Sequence, residues 1–563
     1  MTKHRLSFIA LSIAGILSSF HINASENIII DNNKKKDITL EIKNGIEHIN
    51  IEKANENGIS HNYYQKFNVS EKGAIINNPT YLANSAAKFI INEVTSNEKS
   101  SLKGELRVKG DNAYLMIANP NGIECNGCSF SGTKQQLLVT GKVKLINNEE
   151  SSTFSQGGKI HYKDGDLKIN VSAEGKIIFK NNIKSVHDEG LLTLISNEIA
   201  MSDGNLNGKF LKTIIGNNEI KFSRKHKAPG LSYVRYNFPT NQQLPANYSL
   251  IRKGKDGKAD IYRVANYSDY YHSATGYFGK QENSPDAGLL INQHATVKFS
   301  GLSITQTGDS RVINEGQLSA KKFYADVENQ FINRKGAVLD VGDQQYNKSV
   351  NKSLIKAKIL KFDHATFKMN NTNTNINVDS FEGMNSYIKS ENAIVYVKSN
   401  QFDNKQDSYQ YRHFDGNKPS DSNYGQFSLN NSKLVFDSKE ITNNADWIGD
   451  GRLEINTDSL KNRGTIKVEG TRTTNIGQHT INKNGAVKIK VNGILDTYGS
   501  NIVASNGLII DAQQLKAKDG NIKIINKNKN IKPVISTAEL IDITPDEQLK
   551  FVNSNKVDFN WKM

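Results

Sequence analysis

NGAVKIKV (Asn484–Val491) opens on an Asn-Gly corner and runs directly into alternating residues. Val487, Ile489 and Val491 fall on one side and Lys488 and Lys490 on the other, the period-2 pattern of a strand with one buried face. The unit recurs. NRGTIKV (Asn462–Val468) precedes it and NGLIIDA (Asn506–Ala512) follows, so Gly464, Gly485 and Gly507 are spaced by 21 and 22 residues. Earlier, Gly316 in NEGQLSA and Gly336 in NRKGAVLDV are 20 apart. Asn and Gly tolerate positive φ and suit repeated sharp corners. One strand and one corner at a fixed period near 20 describe a solenoid of stacked coils. A β-sandwich would need hairpin turns every 8–12 residues, which occur here only in places. The expected fold is all-β, a parallel β-helix in which aliphatics stack inside and corner asparagines ladder from coil to coil. Coils spaced by about 4.8 Å would give a rod on the order of 100 Å long.

Composition agrees. The chain has 563 residues, 37% of them hydrophobic, with 42 Gly and only 9 Pro. Its net charge of +15 admits an anionic partner. The lysines are scattered along strand-like runs, the pattern of a solvated face. No compact basic run with interleaved aromatics forms a nucleic-acid groove, so no nucleic-acid partner is expected.

The N-terminus reads MTKHR, then the apolar LSFIALSIAGILSSF (Leu6–Phe20), then INAS. Basic, apolar and small-residue parts in that order describe a secretory signal peptide, residues 1–24, cut after Ala24 and used by the Sec machinery. The two cysteines stand three apart in ANPNGIECNGCSF (Ala118–Phe130). A zinc site needs about four ligands, and no His pair flanks them. A redox motif needs a strand–helix setting. In an exported chain the expected state is a disulfide, Cys125 to Cys128, that pins a tight turn. No metal and no cofactor are expected.

Short β-like runs continue to about Ile220. KDGDLK (Lys163–Lys168) and GDGRLE (Gly449–Glu454) read as turns. Arg224–Lys280 differs, being dense in Tyr, basic residues and Pro. It reads as an insertion or linker whose Tyr233, Arg235, Tyr236, Tyr262, Arg263, Tyr267, Tyr270 and Tyr271 either pack a small accessory domain or offer a ligand patch, aromatic faces being suited to sugars and interfaces.

The N-terminal third resembles the secretion domain of two-partner secretion exoproteins, the group of filamentous haemagglutinins and haemolysins. The motifs come in order: NGISHNYYQKFNVSEKGAIINN (Asn57–Asn78), SAAKFIINEVTS (Ser85–Ser96), SSLKGELRVKGDNAYLMIANPNGIECNGCSF (Ser100–Phe130) and LLVTG (Leu137–Gly141). Two motifs depart from the family's. NNPTYLANS (Asn77–Ser85) stands where the family often has Asn-Pro-Asn-Leu, and FSGT (Phe130–Thr133) where it has Phe-Ile-Asn-Thr.

The resemblance implies a right-handed β-helix with an N-terminal secretion-domain cap. It also implies export through a dedicated outer-membrane β-barrel transporter encoded separately, followed by folding outside a Gram-negative-type cell. Transporter recognition would fall on Ser60, His61, Asn62, Asn77, Asn78, Asn92, Glu93, Asn119, Pro120, Asn121, Gly122 and Ile123. The expected domains are 25–222 for secretion, 223–285 for the Tyr/Lys-rich insertion or linker, and 286–563 for a β-helical shaft with a C-terminal cap.

The expected function is an adhesin-like virulence factor that binds a host cell-surface glycan or protein. A pore-forming cytolysin is the alternative that the resemblance brings. A β-helical polysaccharide-active enzyme is a third. No Gly-x-Ser-x-Gly elbow, zincin helix or phosphate loop is present, and Ser60-His61 has no third partner visible in the sequence, so the chain is expected not to be an enzyme. The twelve His are dispersed and decide nothing about haem. The last 43 residues, Asn521–Met563, are too few for a catalytic toxin domain.

Overall fold

The computed structural model describes residues 27–552, apart from 35–36, 80–85, 154–158, 182–185, 217, 223–233, 237–248, 254–258, 263–273, 279–285, 344–350, 407–424, 471–473, 477–478, 482–484, 526–532 and 544–549. The signal sequence 1–24 lies outside these residues.

The chain winds into a parallel β-helix. Strand Ile59–Phe67 pairs in parallel with Phe89–Val94, that strand with Ala113–Ala118, and that with Thr133–Val139. The ladder continues through Val186–Ser196, Gly204–Ile215, Ala295–Gln306 and Gln317–Val327. It then passes through Asn351–Asp363, Thr372–Met384, Ile394–Lys405, Phe427–Asn443 and Trp447–Asn462 to Ala486–Asp496, Gly507–Ala517 and Val534–Ile543.

Alternation puts one aliphatic set into a single continuous interior core. Within it, rings pack from coil to coil: Phe381 stacks on Phe402 at 4.7 Å, Phe402 meets Phe436 edge to face at 4.9 Å, and Phe436 stacks on Trp447 at 4.8 Å. Each such side chain contributes about 1.5–3 kcal/mol by leaving water.

Corner asparagines ladder as expected. Asn404 Nδ2 donates to Asn443 Oδ1 at 3.3 Å, Asn443 Nδ2 to Asn462 Oδ1 at 2.8 Å, and Asn462 Nδ2 to Ser500 Oγ at 3.0 Å. Asn314 and Asn333 repeat the contact at 3.0 Å.

Three details differ from the sequence reading. The strands after Gly464 and Gly485 do not stack on each other. Ile466 pairs with Trp447 and Ile502, whereas Val487 pairs with Leu453 and Leu508. Equal spacing along the chain hides the fact that one coil has several corners. Gly464 is also needed for a reason other than positive φ: a Cβ there would lie 2.0 Å from the Ala445 carbonyl oxygen of the coil beneath. Finally, GDGRLE is no turn but part of the continuous strand Trp447–Asn462, with a register shift where Asp450 and Gly451 face Asn430 and Ser432.

A feature that periodicity did not show is an antiparallel sheet outside the helix. Gly141–Leu145, Leu167–Val171, Asn218–Phe222 and Ala274–Phe278 pair in that order. Its Val143, Ile169, Ile220 and Phe222 pack on the outward Phe89, Ile91, Met116 and Leu137 of the β-helix, making a second core. Phe89–Val94 is therefore buried on both faces. Asn218–Phe222 and Ala274–Phe278 are partners, so the Tyr-rich stretch leaves and rejoins the fold at this sheet.

Candidate functional site

The motif residues of the N-terminal third converge on the first coils. Strand alternation sends Ser60 and Asn62 one way and His61 and Tyr63 the other. Ser60 Oγ donates to the Glu52 carbonyl oxygen at 2.6 Å. Asn62 Oδ1 accepts the Glu52 amide at 2.8 Å, and Asn62 Nδ2 donates to the Ile91 carbonyl oxygen at 3.2 Å. Both side chains are fully buried. They tie an incoming loop to two successive coils.

His61 does have a partner, one strand away. Its Nε2 lies 2.7 Å from Glu93 Oε2, and Tyr63 Oη lies 3.3 Å from its Nδ1. Tyr63 and His61 pair in register with Glu93 and Ile91, a proximity that sequence distance conceals. Glu93 Oε1 accepts the Val143 amide at 3.2 Å, which fastens the outer sheet to the β-helix. Burial, followed by the Glu93 charge, pushes the Tyr63 phenol up. Ser60 points to the opposite face and does not join this cluster.

Asn92 is buried and accepts from Tyr64 Oη at 3.2 Å through Oδ1. Asn77 Nδ2 donates to Asn50 Oδ1 at 2.8 Å. Asn78 is buried and donates to the carbonyls of Ala87 and Asp111 at 2.9 and 2.8 Å while accepting the Ala87 amide at 2.8 Å. It closes the base of the altered NNPTYLANS stretch, whose residues 80–85 lie outside the described residues.

The Asn119–Gly122 turn is closed by the Gly122 amide on the Asn119 carbonyl oxygen at 3.2 Å, with Pro120 inside it and Ile123 opening the next strand. Asn119 is completely buried. Its Nδ2 donates to the Glu98 carbonyl oxygen and to Ser100 Oγ, both at 2.9 Å, and its Oδ1 accepts the Asn121 amide at 2.9 Å. Asn121 Nδ2 donates to the Ser96 carbonyl oxygen at 2.7 Å. The turn is thus clamped to the preceding coil.

The partners Ser96, Glu98 and Ser100 escaped the sequence reading. Two of them act through backbone carbonyls, which any residue supplies. Cys125 and Cys128 form a disulfide with Cα atoms 5.2 Å apart, buried in the interior core beside this turn.

Among the described residues no group of three or more His, Cys, Asp or Glu is placed to hold a metal, and no helix is long and apolar enough to cross a membrane. Of the Tyr-rich patch, Arg235 and Tyr236 lie on strand Val234–Tyr236 and Tyr262 on Ala259–Tyr262. Tyr233, Arg263, Tyr267, Tyr270 and Tyr271 fall outside the described residues.

The family model described as the TPS, or two-partner, secretion domain matches residues 27–267. Residues 27–267 are a two-partner secretion domain. The match runs past residue 222, into the stretch read as an insertion. The exoprotein is exported across the outer membrane to the cell surface or the medium.

It is 25% identical over 48% of its length to the protein named tRNA nuclease CdiA of Yersinia mollaretii, and covers 10% of that protein. It is 38% identical over 19% of its length to a protein named hemolysin from Proteus mirabilis, and covers 8% of it. The chain therefore spans about a tenth or less of these curated relatives. A crystal structure of a filamentous hemagglutinin secretion domain superposes with a TM-score of 0.38 at 14% identity, covering 63% of this chain and 96% of that one. The expectation that the exoprotein is not an enzyme is corrected by these relatives, which include proteins named as a tRNA nuclease and a 16S rRNA endonuclease.

Proposed function

We propose that the N-terminal domain is read in unfolded form by a dedicated outer-membrane β-barrel transporter, and that the exoprotein then folds outside the cell from its N-terminal coils onward. In its final form the shaft would serve as an adhesin, holding a binding surface away from the cell. The supporting observation is the Asn119–Gly122 turn, whose Asn119 and Asn121 side chains donate hydrogen bonds to Ser96, Glu98 and Ser100 on the coil just completed. A solenoid built of such nearest-neighbour contacts can grow from one end, each new coil docking on the last. Growth of this kind favours outward movement without a nucleotide. Ser60, Asn62, Asn78 and Glu93 act in the same way, as clamps that commit each early coil.

Co-expression with and without the transporter, with full-length protein measured in the medium and on the surface, tests this. Export should need the transporter and should fall when Asn119 and Asn121 are replaced by Ala. Folded protein held in the periplasm and indifferent to both changes would overturn the reading.

A second reading, a secreted toxin or cytolysin, is favoured by the names of the relatives, hemolysin and toxin CdiA. Lysis of erythrocytes by the purified chain would select it over adhesion.

A further inference from the structure

One face of the shaft carries a regular outward grid on three successive coils. Strand Asn351–Asp363 turns Lys352, Leu354 and Lys356 outward, because Ser353, Ile355 and Ala357 are buried. Directly over them, Thr372–Met384 places Asn373, Asn375 and Asn377, with Asn375 and Asn377 exposed. Over those, Ile394–Lys405 places Ile394, Tyr396 and Lys398. Tyr396 is 40% exposed, one of few large apolar or aromatic side chains so open among the described residues.

The columns are in strict register: Leu354, Asn375 and Tyr396 in one, Lys356, Asn377 and Lys398 in another. Columns are spaced by two residues of strand and rows by one coil, about 4.8 Å. The result is an amide row between two rows that carry lysines, with one aromatic ring at its edge.

The lysines of the grid are not held in ion pairs. Among the described residues, Lys352, Lys356 and Lys398 have no acidic partner within ion-pair distance, whereas Lys433 on the following coil is paired to Glu454 at 3.2 Å. The acidic residues nearest the grid are Asp437, in register with Lys398 on the following coil, and Asp379, exposed two residues past Asn377 on the same strand and accepting from Asn400 Nδ2 at 3.4 Å. On the preceding side Tyr324 and Asp326, in register with Leu354 and Lys356, are buried. The grid is therefore bounded on both sides.

We infer that this face binds an acidic polysaccharide laid across the coils. The lysines would take its carboxylates or sulfates as solvent-screened charge contacts. Asn375 and Asn377 each offer a donor and an acceptor to vicinal hydroxyls. The Tyr396 ring offers an apolar face to a sugar ring and a hydroxyl to its edge. A row of amides with a single ring is ill suited to nucleic acid, which needs successive stacking platforms. The inference rests on the adhesin reading and gives it a ligand class. It also moves the ligand surface from the Tyr-rich stretch to the shaft.

The test uses the secreted full-length exoprotein with heparin, polygalacturonate, neutral dextran and a single-stranded oligodeoxynucleotide as probes. The acidic polysaccharides should bind, more weakly as salt rises, and dextran should not. The double variant Lys356→Gln, Lys398→Gln should bind them about tenfold more weakly, the loss expected from two exposed charge contacts. Tyr396→Ala should weaken binding without changing its salt dependence. Lys109→Gln with Lys142→Gln, on the secretion domain, should leave it unchanged. An unchanged far-UV spectrum confirms that the variants fold.

Equal affinity of the wild type for dextran and heparin would overturn the inference, as would full binding by the double variant. So would equally tight oligodeoxynucleotide binding that is lost in the same variants. Cell binding measured in parallel separates the two claims. Cells bound equally by wild type and double variant would leave the adhesin reading and remove this surface. Acidic polysaccharide bound without cell binding would do the reverse.

Discussion

His61 Nε2 lies 2.7 Å from Glu93 Oε2, and the other oxygen of that carboxylate accepts the Val143 amide. One buried carboxylate thus joins the first coils to the sheet packed outside them. Replacing Glu93 by Ala leaves the Val143 amide and the His61 ring without an acceptor in a water-poor site. The expected cost is about 1–3 kcal/mol, seen as a lower denaturant midpoint for the secretion domain. Glu93→Gln keeps one acceptor and should lose less. Equal midpoints for wild type and Glu93→Ala would refute the clamp.

Asn443 sits in the middle of the corner ladder, fully buried between Asn404 and Asn462. Asn443→Ala removes a partner from each neighbour. The expected loss is about 1–3 kcal/mol, felt locally because a solenoid transmits stability only between adjacent coils. Trp447 lies four residues on, in the ring stack, and reports the event. Its fluorescence should report melting earlier in the variant, while far-N-terminal probes move little.

Asp496 accepts two hydrogen bonds from Arg463, at 2.9 and 2.7 Å. Partial burial alone would raise its carboxyl, but the Arg463 hydrogen bond and charge outweigh it and hold the group below the usual Asp value. A lowered folded pKa gives stability that is present above the unfolded value near 3.9 and lost as pH falls through the folded value. Asp496→Asn should therefore be less stable than wild type at pH 6, and the gap should close toward pH 3. Urea midpoints of the two proteins at both pH values measure it. A gap that stays constant would show that the pair adds no pH-dependent stability.

The Cys125–Cys128 disulfide closes a loop of sequence separation 3. By chain entropy alone so short a loop contributes about 2 kcal/mol. The Cys125→Ala, Cys128→Ala variant should fold, with a midpoint lowered by about that amount. Both sulfurs are buried, so the native protein should resist thiol reagents until it is partly unfolded. Rapid reduction under native conditions would contradict the described burial.

The interior of the β-helix was legible along the chain. Val487, Ile489 and Val491 alternate with Lys488 and Lys490, an order that suits a strand; the three aliphatics are buried and Lys490 is exposed, but Lys488, expected on the solvent face, is covered as well. The corner asparagines were legible for the same reason, since Asn443 and Asn462 recur where the chain must bend. The export domain was legible as ordered motifs around Ala118–Phe130. These signals are local: a strand's side chains alternate by backbone geometry, whatever surrounds it.

What the sequence could not assign was which repeats stack. Gly464 and Gly485 open similar strands, yet Ile466 meets Trp447 while Val487 meets Leu453, because the chain takes several corners per coil and excursions change their count. The outer sheet was invisible for a related reason: Val143 and Phe222 are ordinary alternating strand residues until tertiary packing sets them on Phe89 and Ile91. The partnership of His61 with Glu93, and the row of Asn375 beneath Tyr396, likewise exist only once coils are in register. By itself the sequence determined that this chain forms strands, corners and an export domain. Tertiary structure alone decided which side chains meet, because neighbours across a coil are brought together by stacking and not by proximity along the chain.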